Sequence, residues 1–183
     1  MKLRNWVLSA VAAAVFLAGP AYALEGFYVG AGAVNWTYNE PATTPEDLSG
    51  TGINVKFGQN FIENLGWEVE MGGGGSDSVV VTVPGVGQVP LDLDLDFYTS
   101  FFLRAILPLP RLHLYGAVGF TSAMLTADAG LPVTGTESGV SFGAGAELEV
   151  VNGWFVGGEF MRYLDTDAIE LTAKNIFLKK YFW

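Results

Sequence analysis

The sequence predicts an all-β fold, a closed antiparallel up-and-down transmembrane β-barrel of eight strands. Half of the 183 residues are hydrophobic and only 15% are charged, whereas ordinary soluble domains carry about 25% charge. After the first 23 residues no apolar run reaches the roughly 20 residues a spanning helix needs. Side chains sort instead with a period of two, apolar on one face and polar on the other. A sheet closed on itself is the remaining way across a bilayer, because it pairs every backbone N–H and C=O between strands.

The first element is a leader. Lys2 and Arg4 precede an uncharged apolar run from Trp6 to Ala18, followed by Gly19-Pro20 and the small-x-small pattern Ala21-Tyr22-Ala23. This reads as a cleaved signal peptide over 1–23, with the barrel domain over 24–183. Removing Lys2 and Arg4 takes the formal charge from −10 to −12, which excludes nucleic acid as a charge-attracted partner. Cys is absent, so neither disulfides nor thiol chemistry operate.

The strands follow in order. Residues 26–38 mix Gly and aromatics on both faces, so a strand is expected without a sidedness. Ile53, Val55 and Phe57 then oppose Asn54, Lys56 and Gly58, and Leu65, Trp67, Val69 and Met71 oppose Gly66, Glu68 and Glu70. From Leu91 to Leu107 the odd residues form one apolar face and Asp92, Asp94, Asp96 and Arg104 lie on the other. A helical period would scatter those aspartates around a circumference. Residues 112–124 again lack clear sidedness. Val140, Phe142, Ala144, Ala146, Leu148 and Val150 oppose Ser141, Gly143, Gly145, Glu147 and Glu149. Trp154 to Leu164 alternates until Arg162, which a bulge near Met161 would turn to the polar side. The last strand, from about Ala168, sets Glu170, Thr172 and Lys174 against Ile169, Leu171, Ala173, Phe177, Tyr181 and Trp183.

The joins alternate in length as such a meander requires. Asn60 to Asn64, Pro108 to Arg111 and Val151 to Gly153 are short; Asn39 to Gly50, Gly72 to Pro90 and Leu125 to Ser138 are long, and Asp165 to Asp167 is a short exception. Within Gly72 to Pro90 the run Val79 to Val83 forms either a hairpin above the membrane or a prolongation of the wall.

A soluble barrel would turn the apolar faces inward. Against that, Gly58, Gly66, Gly143 and Gly145 lie among the charges, as a crowded narrow lumen demands, and the opposite faces run uncharged over most of a strand. The lumen is therefore expected to be filled by a paired charge network of Lys56, Glu68, Glu70, Arg104, Glu147, Glu149, Glu159 and Lys174, joined by Glu170, by Lys180 and, given the bulge, by Arg162. Asp92, Asp94 and Asp96 form a candidate rim for a hard cation such as calcium, although three carboxylates in line lack the enclosing ligand set calcium prefers. His113 is the only His; its same-face neighbours Arg111 and Tyr115 supply no nucleophile, so no catalytic pair forms around it. Neither a cofactor nor an enzymatic activity is expected.

Gly26-Phe27-Tyr28-Val29-Gly30-Ala31-Gly32, Asn64-Leu65-Gly66-Trp67-Glu68-Val69-Glu70, Leu114-Tyr115-Gly116-Ala117-Val118-Gly119 and Gly143-Ala144-Gly145-Ala146-Glu147-Leu148 resemble the strand motifs of the OmpA-like outer-membrane β-barrel family. The ending Tyr181-Phe182-Trp183 resembles the C-terminal aromatic assembly signal of such barrels, with Trp183 in place of the usual Phe and Lys179 at a normally apolar position. The resemblance implies a Gram-negative outer-membrane location, contact with outer-membrane lipid and the barrel-assembly machinery as a partner during biogenesis; unlike full-length OmpA proteins, the chain is expected to carry no peptidoglycan-binding domain. Function is then expected to be structural or surface-interacting, through extracellular loops whose partner the residues do not name. The alternative is a narrow transporter for ions or small apolar molecules.

Overall fold

The computed structural model describes residues 26–39, 47–83, 87–166 and 169–182, all as strands, turns and short connections. The strands are β1 (Phe27–Asn39), β2 (Leu48–Ile62), β3 (Leu65–Gly73), β4 (Ser76–Val83), β5 (Gly87–Leu109), β6 (Leu112–Asp128), β7 (Pro132–Val151), β8 (Trp154–Asp165) and β9 (Glu170–Phe182). Every pairing is antiparallel, and the chain of pairings β1–β2–β3–β5–β6–β7–β8–β9 returns to β1. The ring has eight positions because β3 and β4 share one: both pair with β5, one after the other. Closure leaves the backbone of the wall no free edge within the bilayer.

The join between β3 and β4 is a kink in a single wall strand. Gly74 and Gly75 take φ of +91° and +86°, a region open to glycine at little steric cost. Their backbone still reaches β5, Gly74 N donating to Leu95 O at 2.7 Å and Leu95 N to Gly75 O at 3.2 Å. Opposite the kink, β5 carries a register shift between Leu95 and Phe97. This bulge at Asp96 reverses the facing of all residues before it. Beyond it Tyr98, Phe102, Arg104 and Ile106 point inward, whereas before it Leu93 and Leu95 do.

The short turns at one end comprise residues 63–64, 110–111 and 152–153. Arg111, Asn152 and Gly153 have positive φ there, the conformation tight hairpins need. At the other end the strands run on unequally. β4 pairs only with β5, and β7 before Phe142 only with β6. These segments of β4, β5, β6 and β7 form one sheet that rises past the remaining wall. For β7 the free stretch from Pro132 to Ser141 is roughly 30 Å of strand.

Outward faces are apolar: Val29, Val55, Phe101, Leu103, Val118, Phe120, Phe142, Leu148, Val156, Phe160 and Leu178 are exposed. Inward faces are packed by aromatic rings lying over glycines directly across the sheet. Tyr28 faces Gly58, Trp36 faces Gly50, Tyr98 faces Gly72, Phe102 faces Gly119, Tyr115 faces Gly145 and Phe177 faces Gly157. A methyl group at Gly58 would lie 2.5 Å from the Tyr28 hydroxyl, and one at Gly50 2.3 Å from the Trp36 indole. The glycines are thus the space the rings occupy, and in this way β1 and β6 acquire the sidedness their sequence lacks.

The interior is not polar throughout. Towards the long-hairpin end it is a hydrophobic core including Val34, Trp36, Leu48, Leu93, Leu95, Leu125, Leu164 and Leu171. This corrects the reading of β9, whose Leu171, Ala173, Phe177 and Tyr181 point inward while Lys174, Ile176 and Leu178 point outward. An apolar face marks lipid only where the lumen behind it is polar, and here half the lumen is not. In β8 the irregularity falls between Arg162 and Leu164, after Arg162 rather than before it. Arg162 therefore stays on the outer surface, paired with Glu170 at 2.9 Å and Asp165 at 3.2 Å.

Candidate functional site in the lumen

Towards the short-turn end the lumen holds a cluster of seven buried charged residues: Lys56, Glu68, Glu70, Arg104, Glu147, Glu159 and Lys179. β2 delivers Lys56 inward because Val55 and Phe57 occupy its outer face, and β3 delivers Glu68 and Glu70 by the same alternation. Nearer the short turns, Lys179 Nζ lies 2.7 Å from Glu68 and 3.2 Å from Glu147, and Arg104 lies 3.6 Å and 3.3 Å from the same two carboxylates. Further along the axis Lys56 Nζ meets Glu70 at 2.8 Å and Glu159 at 2.5 Å, and it also reaches Glu68 at 3.2 Å.

Hydroxyls and amides complete the cluster. Tyr28 donates to Glu68 at 2.8 Å, Tyr181 to Glu147 at 2.5 Å and Tyr115 to Glu159 at 2.6 Å. Tyr98 and Tyr163 both donate to Glu70, at 2.6 and 2.7 Å, while Asn54 donates to Glu70 and Asn175 to Glu159, each at 2.6 Å. The Arg104 guanidinium lies 3.9 Å from the centre of the Tyr115 ring. These contacts depend on the cross-strand glycines: Tyr28 and Tyr115 reach the axis by lying over Gly58 and Gly145. Ions removed from water require such saturation, since a lone charge in this setting is strongly destabilising.

Of the residues singled out in the sequence, Lys56, Glu68, Glu70, Arg104, Glu147 and Glu159 meet in this cluster and the others do not. Lys174 is exposed on the outer face of β9. Glu149 sits half-buried at a short turn, accepting from Gly153 N at 2.8 Å. Glu170 pairs with Arg162 outside, and Lys180 donates to Asn152 O at 2.6 Å. Lys179 is wholly buried in the cluster and had no place in the sequence-based network. Its signal was the alternation of Lys179 with Phe177 and Tyr181, which makes sense only if that face is the interior. His113, at the mouth, has Nδ1 3.3 Å from Glu147 and stacks on Phe155 at 4.9 Å. Tyr181 of the terminal aromatic signal points into the lumen, Phe182 points outward beside Phe27 at 6.2 Å, and Trp183 lies outside the described residues.

The aspartate rim is moved by the bulge in β5. Asp92 and Asp94 lie before it and so face away from the interior, and Asp96 accepts from Thr126 at 2.6 Å. Asp92 stands opposite Asp128, and Asp94 opposite Ser76 and Thr126. Among the described residues no three His, Cys, Asp or Glu converge as a metal site.

A lipid-facing apolar wall around buried ion pairs and tyrosines is the arrangement of a small membrane barrel, and comparison with known proteins decides the family. The model of the outer membrane protein beta-barrel domain matches residues 7–179. The chain belongs to this outer-membrane β-barrel family. Similar solved structures include Ail, the attachment invasion locus protein of Yersinia pestis, in complex with the heparin analogue sucrose octasulfate, at 15% identity and a TM-score of 0.62 over 86% of this chain and 99% of that one. Neisserial surface protein A matches at 13% identity and a TM-score of 0.61, over 86% and 98% of the two chains. OprG of Pseudomonas aeruginosa matches at 10% and 0.59, over 86% and 96%. A search of curated protein sequences finds no match. As an outer-membrane β-barrel the chain is surrounded by lipid; barrels of this kind generally carry short turns on the periplasmic side and longer loops outside.

Proposed function

We propose that this outer-membrane barrel is a sealed, non-enzymatic scaffold whose contacts with other molecules are made by the sheet of β4, β5, β6 and β7 above the membrane. The observation that carries this reading is the lumen cluster itself: seven charged side chains, interlocked at 2.5–3.6 Å, cross the periplasmic half of an eight-stranded barrel that is only wide enough for side chains. The chain is exported through cleavage after residue 23, and strand β9 with its aromatic end serves recognition by the barrel-assembly machinery. Purified protein in planar bilayers tests the seal. Silence is expected, and reproducible single-channel steps would overturn the scaffold reading.

The raised sheet has a distinctive charge. Asp77, Asp92, Asp94, Asp96, Asp128 and Glu137 are its ionisable residues, and the segments 76–96 and 121–140 contain no Lys or Arg. A polyanion such as the heparin analogue held by Ail would be repelled here, so the favoured partner is cationic. A second reading, passage of small apolar molecules, is supported by the apolar outer lumen and by a seam in the wall. β2 is paired with β3 only up to Ile53 opposite Gly73, and beyond it Ser49 N donates to the Asp77 carboxylate at 2.8 Å. Quenching of Trp36 fluorescence by a brominated alkane in excess of its effect on Trp67 would favour that reading.

A further inference from the structure

The raised sheet has an unpaired edge. Among the described residues β7 is joined to β8 only from Phe142 onward, opposite Arg162, whereas its pairing with β6 continues without a register shift to Pro132. β8 stays close for a short distance, with Ser141 Oγ donating to Tyr163 O at 2.7 Å and Gly139 lying beside Leu164 and Thr166. Residues 132–138 are then exposed without exception, and a methyl group on Gly135 would meet no atom within 4 Å.

The parity of the ladder fixes what this edge offers. In an antiparallel pair the N–H and C=O of one residue point to the same side, and successive residues alternate. Glu149 N donates to Arg111 O at 2.7 Å on the β6 side, so the odd-numbered residues of β7 serve β6, and Thr134, Thr136 and Ser138 turn their N–H and C=O toward the open edge. Hydroxyls hold the strand on β6 without covering that edge: Thr134 Oγ1 lies 2.8 Å from Thr126 Oγ1, and Ser138 Oγ donates to Ser122 Oγ at 3.0 Å. Exposed edges are ordinarily blunted by Lys, by Pro within the strand or by a bulge. This one has none of them, since Pro132 is its first residue and Glu137 is the sole charge between 132 and 141.

We propose that this edge takes a basic, extended peptide segment of another molecule as an added antiparallel strand, with Thr134 to Ser138 as the template. The inference rests on the reading that the raised sheet makes the contacts of the protein, and it specifies how they are made. Charge selects the occupant. Glu137 lies between the hydrogen-bonding positions of the edge, where directly opposed side chains approach most closely. Asp92, Asp94 and Asp128 lie on the other face of the same sheet, and no Lys or Arg occurs across 121–140. A second copy does not fit, because it shares the orientation the membrane imposes and cannot offer its own β7 antiparallel, and it carries the same negative charge.

The test is the binding of a fluorescein-labelled peptide, in which lysine alternates with threonine, to the purified barrel in nonionic detergent, read by fluorescence anisotropy. With a lysine opposite Glu137, the threonine N–H groups face β7 and the lysine N–H groups face away. Methylating the threonine nitrogens is therefore expected to abolish binding, and methylating the lysine nitrogens to spare it. Thr136→Pro removes one N–H from an edge where proline is tolerated and is expected to weaken binding about tenfold. Binding that survives threonine methylation, or an affinity unchanged by Thr136→Pro, would overturn strand addition and leave a cationic partner on the acidic face. Equal loss with either methylated peptide would overturn it as well, and a wild-type barrel that leaves the unmodified peptide unbound would overturn both readings. The methylated peptides act on the wild-type protein, so they decide the matter should Thr136→Pro fail to fold.

Discussion

Replacing Lys56 by Met keeps the length of the side chain and removes the ammonium shared by Glu68, Glu70 and Glu159. Lys56 Nζ touches three carboxylates, at 3.2, 2.8 and 2.5 Å, and is itself shielded from solvent. Removing one partner of a buried ion pair costs about 3–5 kcal/mol, since the other charge remains uncompensated. Three carboxylates depend on this ammonium, so the upper end of that range applies. For a chain of this size 1 kcal/mol moves the melting midpoint by roughly 2–4 °C, and Lys56→Met is expected to melt about 10–15 °C below the wild type. Heat-modifiable migration on gels, read as the temperature at which the folded band is lost, measures this. The double variant Lys56→Met/Glu159→Gln should recover about 1–3 kcal/mol, the coupling expected of groups in one network. A single variant that melts within about 3 °C of wild type would refute the claim that this cluster stabilises the barrel.

Other outcomes follow from individual contacts. Trp36 donates Nε1 to Gly74 O at 2.9 Å across the kink between β3 and β4; Trp36→Phe leaves that carbonyl without its partner and should cost about 1–3 kcal/mol by denaturant unfolding. Gly58→Ala places a methyl 2.3 Å from the Trp67 carbonyl oxygen and 2.5 Å from the Tyr28 hydroxyl, so that strand β3 and the ring must both shift, with an expected loss of about 1–3 kcal/mol. Calorimetric titration of calcium into the purified barrel should give the same heats for wild type and for the triple Asn variant of Asp92, Asp94 and Asp96. A cysteine at Val80, 56% exposed on β4, should react with a membrane-impermeant maleimide on intact cells, and a cysteine at Asn152 only after the outer membrane is opened.

Much of this architecture is legible in the residues, because the period-two sorting of β2, β3 and β7 follows directly from the pleat and the bilayer. The short turns were equally readable, since tight joins need residues such as Asn152-Gly153, but two of the long joins were not: β6 runs to Asp128 and β7 starts at Pro132, so most of 125–138 is strand, and 72–90 contains β4. β1 and β6 were ambiguous for a physical reason: glycine is there the partner of an aromatic ring across the sheet, and which ring meets which glycine depends on register. The bulge at Asp96 carries no local mark, yet it turns Asp92 and Asp94 away from the interior. Strand β9 was inverted because hydrophobicity was equated with lipid, while Leu171 and Phe177 fill an apolar lumen. The tyrosine hydroxyls that saturate Glu68, Glu70, Glu147 and Glu159 could not be read from spacing, because their donors arrive from other strands.

Bromine on acyl chains quenches only tryptophans that touch lipid, and the barrel places Trp36 inside and Trp67 on its outer wall, stacked with Phe101 at 6.5 Å. In variants retaining one of these tryptophans and carrying Phe at the others, refolded into brominated bilayers, Trp67 should be strongly quenched and Trp36 spared. Equal quenching of Trp36, or protection of Trp67, would contradict the assignment of inward and outward faces on which the whole account stands.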